Sequence, residues 1–333
     1  MIGLALRIVL FLGALAVAAF VPTWVDPFRA YEFGYVGIYF IAILGLNILT
    51  GYTGQISLAQ GAFMAIGGYT SAILMVDHGV KDVWTLPVAG VVAGAGGLMF
   101  GIPALRLRGP YLALATFAVA VALPSVLRYD QLDGVTHGGA GIQLFGVPEL
   151  TASITPLEVF GHELQFEEWI YYVSWTAAAV LFVVAWLLLR GRQGRAFRAV
   201  RDSEVAAAAS GVHPASYKTL AFGISAFYAG VAGDLYALAT TFVNPETYPV
   251  ALSLALVVGV VASGLGSLWG VLAGAFLVEY LPTIAGHVSK EPGVPSVVYG
   301  AILIALMLAL PGGFVGALRL LGRPLTSRRF SRS

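Results

Sequence analysis

Cysteine is absent from the 333-residue chain, which excludes disulfides, thiolate metal sites and cysteine nucleophiles. Charge is scarce as well. Asp, Glu, Lys and Arg make up 11% of the residues, where an ordinary soluble domain carries about 25%. A net charge of +1 leaves no basic footprint, so nucleic acid is excluded as a main partner. The three lysines follow Val80, Tyr217 and Ser289. The phosphate-binding pattern G-x-x-x-x-G-K-[ST] needs a Gly-Lys pair, so the chain does not cradle ATP in that way. No catalytic triad or carboxylate pair stands in a recognisable soluble context. His137, His162 and His213 have no companions at ligand spacing, and no metal site is expected.

What is present is apolar. Hydrophobic residues reach 59%, mean hydropathy is +0.86, and several runs approach the roughly 20 residues that cross a bilayer as helix. The composition defines an all-α polytopic membrane protein. The 41 glycines sit within the apolar runs, where small residues let helices approach closely. Helices are predicted over 3–22, 34–50, 56–76, 84–105, 110–128, 169–189, 218–242, 250–265, 267–282 and 295–311, ten in all. Ala16 and Ala18 give the first run an A-x-A pattern, but a permanent first helix is expected because so many spans follow. The pairs 34–76 and 250–282 are each read as two short spans, with a broken helix or a re-entrant hairpin as the alternative.

The basic residues orient this count. With the N-terminus inside, fourteen of the 18 fall on the cytoplasmic side, including Arg106, Arg108, Arg190, Arg192, Arg195, Arg198, Arg201 and Lys218. The stretch 129–168 holds seven acidic residues and no basic one after Tyr129, as an exported periplasmic loop should. A single transmembrane domain over 1–333 with both termini cytoplasmic satisfies the pattern.

Three segments stand out. Between 44 and 74 the polar residues Asn47, Thr53, Gln55, Ser57 and Gln60 gather where two apolar helices meet. Unsatisfied polar groups are expensive in lipid, so these side chains form an interhelical clamp around Gly51 and Gly54, line a translocation path, or do both. Along 190–218 charged residues alternate with Phe197, Val200 and Val205 at helical spacing until Gly211 and Pro214 stop the helix. A short amphipathic helix under the membrane suits docking into a partner's groove. Along 250–282, Gly266, Gly270 and Gly274 recur every four residues and read as a helix-packing stripe. Asp234 adds an acid inside a predicted span, either packed and hydrogen-bonded or lining the path. A stand-alone secondary transporter using Asp234 for ion coupling is the competing reading.

The chain resembles the permease subunits of branched-chain amino-acid ABC transporters of the LivM type. The resemblance is carried by LNILTGYTGQISLAQGAFMAIGGYTSAIL at 46–74, RLRGPYLALATFA at 106–118, THGGAGI at 136–142, GRAFRAVRDSEVAAAASGV at 194–212, YKTLAFGISAFYAGVAGDLYA at 217–237 and GLGSLWGVLAGAFL at 264–277. It implies an ABC importer permease fold and no cofactor in this chain. The implied partners are a homologous second permease, two cytoplasmic ATPases that bind ATP and Mg, and a periplasmic solute-binding protein. By the same resemblance Arg195, Arg198, Glu204 and Gly211 belong to the ATPase-docking element. Asp234 departs from the small apolar residue usual in the family, and Ala59 and Gln60 also depart from a common variant. These departures leave the cargo open among branched-chain amino acids, urea, short amides and aromatic acids.

Overall fold

The computed structural model describes residues 26–104, 107, 109–144, 158–159, 162–163, 165–288, 294–309, 313–314 and 316. Predicted helix 3–22 lies outside them. The described chain is helical almost throughout. Helix α1 spans Pro27–Asn47 and continues as a π-helical turn, Ile48–Tyr52; α2 spans Gln60–Val76, α3 Asp82–Ala104 and α4 Pro110–Leu127. After the short α5, Asp133–Thr136, come α6, Phe166–Arg190, then α7, Arg192–Asp202, and α8, Glu204–Ala209. The last four are α9, Pro214–Thr240, α10, Val250–Ser263, α11, Val271–Val288, and α12, Val294–Ala309. Five of these segments are long and apolar enough to cross a membrane unaided, and α2, α10 and α11 are shorter apolar helices. The chain is a multi-pass membrane protein.

Helix α9 is the central mast, packed against α3, α2 and α1. Small residues make this possible. A side chain at Gly67 would run into the Gly230 backbone, and one at Gly233 would run into the Met64 carbonyl. On the other flank Gly90, Gly94, Gly97 and Gly101 of α3 face Val231, Phe227, Ala226 and Thr219 in reverse order, so α3 runs antiparallel to α9. Outward from this core the helices present apolar side chains, among them Val91, Met99, Val180 and Leu187, as lipid-facing surfaces do.

The two ends of the bundle differ. At one end lie α7, α8 and the start of α9, with Arg190 stacked over Trp186 at 3.7 Å. At the other end the two-residue strands Ile142–Gln143 and Phe242–Val243 pair antiparallel, Tyr31 donates to the Ala239 carbonyl, and Arg128 meets Glu246. Both uncertain pairs reverse the chain. Helix α1 runs toward the arginine-rich end and α2 returns from it, and α10 and α11 do the same around Gly264 to Gly270. The returning α2 and the descending α10 have only 17 and 14 residues. At 1.5 Å per residue these measure about 26 and 21 Å, short of the roughly 30 Å hydrocarbon core. Non-helical chain at 54–59 and 244–249 supplies the remainder.

Several boundaries depart from expectation. The first broken helix starts at Pro27 rather than near 34, because proline at the first turn costs no hydrogen bond and fixes a helical φ. The predicted helix at 267–282 begins only at Val271, so Gly266 and Gly270 sit in the connection and Gly274 alone is helical. The expected amphipathic helix is two helices, since Ser203 adopts an extended backbone and accepts the Ala206 N–H as an N-cap.

Gly233→Leu is expected to lower the thermal midpoint of the detergent-solubilised protein by an amount corresponding to about 1–3 kcal/mol of overpacking, whereas Val91→Leu on the lipid face leaves it unchanged. Equal midpoints for the two variants would contradict the mast packing.

Candidate functional site

The site is a pair of backbone breaks at the arginine-rich end. As α1 stops, its last carbonyls lose helical partners, and the π turn widens the exit. Thr53 N–H bonds back to Leu49 and Thr50, its hydroxyl donates to the Leu49 carbonyl at 2.6 Å, and Gly54, at φ +73°, turns the chain away. Gln55 donates to the Thr53 hydroxyl at 3.0 Å and to the Lys218 carbonyl at 3.4 Å. The Ser57 hydroxyl accepts the Ala59 N–H. Two further amides are met from outside. Leu58 N–H donates to the Thr116 hydroxyl of α4, and Gly61 N–H to the Ser253 hydroxyl of α10, both at 2.9 Å.

The second break is built against the first. Asn47 accepts the Gly266 N–H and donates to the Ser267 carbonyl, each at 2.9 Å, and is fully buried. Gly51 faces Gly266 so closely that a β-carbon on Gly51 would strike the Gly266 nitrogen. Gly266 itself takes φ +77°. Gly270 N–H bonds to the Ser267 hydroxyl, and Gly274 packs on Gly259 and Ser263 of α10. Deeper in the bundle Gln60 ties three helices. It donates to the Ala42 carbonyl at 2.9 Å and accepts from the Ser225 hydroxyl at 3.2 Å.

Five of the six candidate path residues therefore converge around the first break. Asp234 does not join them. It lies toward the opposite end, buried, where Ser71 donates to its Oδ1 at 2.5 Å and Thr85 stands 3.1 Å from the Ser71 hydroxyl. Asp82, which the sequence reading passed over, belongs to the same buried group. Its place at the head of α3, four residues after the Asp77–His78 turn, was the only signal. Oδ2 of each aspartate has no hydrogen-bond partner among the described residues. No group of three or more His, Asp or Glu there has metal-ligand geometry.

The docking candidates spread over the α7–α8 elbow. Phe197, Ala196 and Val200 anchor α7 inward, and Arg195 points to solvent. Arg198 reaches the Leu189 carbonyl at 3.4 Å. Glu204 at the first turn of α8 pairs with Lys218 of α9 at 2.5 Å. Val205 on α8 is 82% exposed, and Gly211 turns the chain at φ +82°.

The fold and site define a multi-pass helical membrane protein whose helices reverse against one another beside a basic elbow. Comparison with known proteins identifies which kind: residues 28–307 match the family model described as branched-chain amino acid transport system / permease component, and the chain belongs to that family. It is 33% identical over 294 residues to the high-affinity branched-chain amino acid transport system permease protein LivM of Escherichia coli K12, covering 84% of this chain and 68% of the relative. A probable branched-chain amino acid transport permease protein LivH of Methanocaldococcus jannaschii is 25% identical over 295 residues, covering 85% and 90% of the two chains. The autoinducer 2 import system permease protein LsrC of Klebsiella pneumoniae is 27% identical over 246 residues, covering 72% and 65%. No solved structure matches. Membership of this family places the permease reading above the stand-alone secondary transporter.

Gln60→Met keeps the side-chain volume and deserts the Ala42 carbonyl and the Ser225 hydroxyl. It is expected to cost about 1–3 kcal/mol in thermal unfolding, with part recovered when Ser225→Ala is added. A fully tolerated Gln60→Met would contradict the three-helix tie.

Proposed function

We propose that the chain is the membrane-spanning permease subunit of an ABC importer that moves a branched-chain amino acid or similar small polar solute inward by ATP-driven alternating access. The observation that carries this reading is the α7–α8 elbow: the exposed α8 is tied by Glu204 to Lys218, and α7 just before it meets the first backbone break through Arg201. A partner that seats on α8 gains a lever on the helices that cross the membrane. On this reading the arginine-rich end is cytoplasmic, 190–218 is the coupling segment, 129–168 is periplasmic, and both termini lie on the cytoplasmic side of the bacterial inner membrane.

The complex we infer holds a homologous second permease, two ABC ATPases that bind ATP and Mg, and a periplasmic solute-binding protein. This chain then does no chemistry of its own. Asn47, Thr53, Gln55, Ser57 and Gln60 border the path at the break, and their bonds to neighbouring backbone are the ones that re-pair when the helices shift. Asp234 is its sixth candidate, at the far end. Support for the cargo comes from the names of the relatives, which span branched-chain amino acids and autoinducer 2.

Mild-detergent purification from the native membrane with mass spectrometry tests the reading. Co-purifying ATPase subunits and a second permease are expected; an active preparation without any ATPase would overturn it. Within that complex Glu204→Lys sets a second ammonium against Lys218, and it is expected to cut uptake at least tenfold while insertion and ATP hydrolysis persist. Normal uptake would remove the elbow from the coupling route.

A further inference from the structure

Helix α7 ends on Arg201 and Asp202, immediately before the Ser203 break. Asp202 Oδ1 stands 3.5 Å from the Arg201 Nε, and both side chains are largely solvated there. The far end of the arginine is engaged differently. Its Nη1 donates to the Gly51 carbonyl at 2.7 Å, and its Cγ lies over Gly54. Gly51 sits in the last turn of the broken helix, where carbonyls lack helical donors. Leu49 and Thr50 find theirs in Thr53, Gly54 and Gln55, and Gly51 finds Arg201. A cation at that point also meets the negative end of the α1 dipole. The same guanidinium nitrogen lies beside Gly266, 3.5 Å from where its β-carbon would stand, and Gly266 is the residue Asn47 holds. One side chain of the elbow thus touches both breaks.

Building on the permease reading, we propose that Arg201 is the positioning residue that carries displacement of the α7–α8 elbow into the two broken helices. Phe197 and Val200 seat the inner face of α7 on the bundle, and Arg201 stands at its C-terminal end, two residues before the Ser203 cap of α8. Movement of α8 draws the guanidinium away from Gly51 or presses it inward. Either way the cap on α1 changes together with the seat of Gly266. The parallel tie, Glu204 to Lys218, acts on the foot of α9, where the Lys218 carbonyl meets Gln55 of the first break.

The test is hydrogen exchange by mass spectrometry on the native-membrane complex with its ATPases, without nucleotide and then with ATP, Mg and vanadate. In the wild type, exchange over 48–59 and over 264–270 is expected to change together. Arg201→Met keeps the stem over Gly54 and removes the donors. It is expected to abolish both changes while ATP hydrolysis stays within about twofold and exchange over 204–209 still responds to nucleotide. Should Arg201→Met fail to assemble, Arg201→Gln, too short to reach Gly51, decides in the same way. Responses at both breaks equal to wild type would overturn the proposal. Loss of assembly in both variants would overturn it too, by making Arg201 a folding determinant. A wild-type complex with no ATPase refutes the permease reading itself before any variant is made.

Discussion

A backbone amide or carbonyl inside a bilayer has no water to turn to, and this constraint organises the whole chain. Two helix pairs reverse at the arginine-rich end of the apolar bundle, and each reversal exposes several polar backbone groups. The chain meets the cost by placing the breaks against each other. Asn47 serves the Gly266 amide and the Ser267 carbonyl, Thr116 and Ser253 serve Leu58 and Gly61, and Arg201 serves Gly51. The polar residues of the first break are therefore there because the helix is broken, and the break can exist because they are there.

Such an arrangement gives the bundle a rigid part and a movable part. The contact of α9 with α2 and α3 is glycine against backbone, too close to slide without clashing. The breaks are held instead by single hydrogen bonds to groups on α4, α7 and α10, each of which can exchange partners for a modest cost. Alternating access needs this contrast between a fixed mast and helices that re-pair. The exposed α8 follows directly on α7, whose Arg201 reaches Gly51, and so stands where a driving subunit has leverage on the second part.

Much of this was legible in the sequence. Scarce charge and long apolar runs gave the helical membrane class, and the cluster of Asn47, Thr53, Gln55, Ser57 and Gln60 marked the break, because polar residues in an apolar run need a local reason. The amphipathic spacing around Phe197 and Val200 marked the elbow. What stayed hidden depended on partners far along the chain. Arg201 read as one arginine of a basic cluster, since nothing local shows that its target lies 150 residues away at Gly51. Gly266 and Gly270 read as a packing stripe, since periodicity alone does not distinguish a helix from the turn preceding one. Asp82 sat at a helix start, where an acid is ordinary, and its burial beside Asp234 is a tertiary fact.

That the two breaks form one node is the central claim, and a double-mutant cycle on thermal unfolding tests it most directly. Asn47→Leu and Arg201→Met act on different segments but on the same junction of Gly51 and Gly266. The account requires the second substitution to cost less once the first is present, with a coupling of at least about 0.5 kcal/mol. Costs that simply add would mean two independent contacts, and would contradict it.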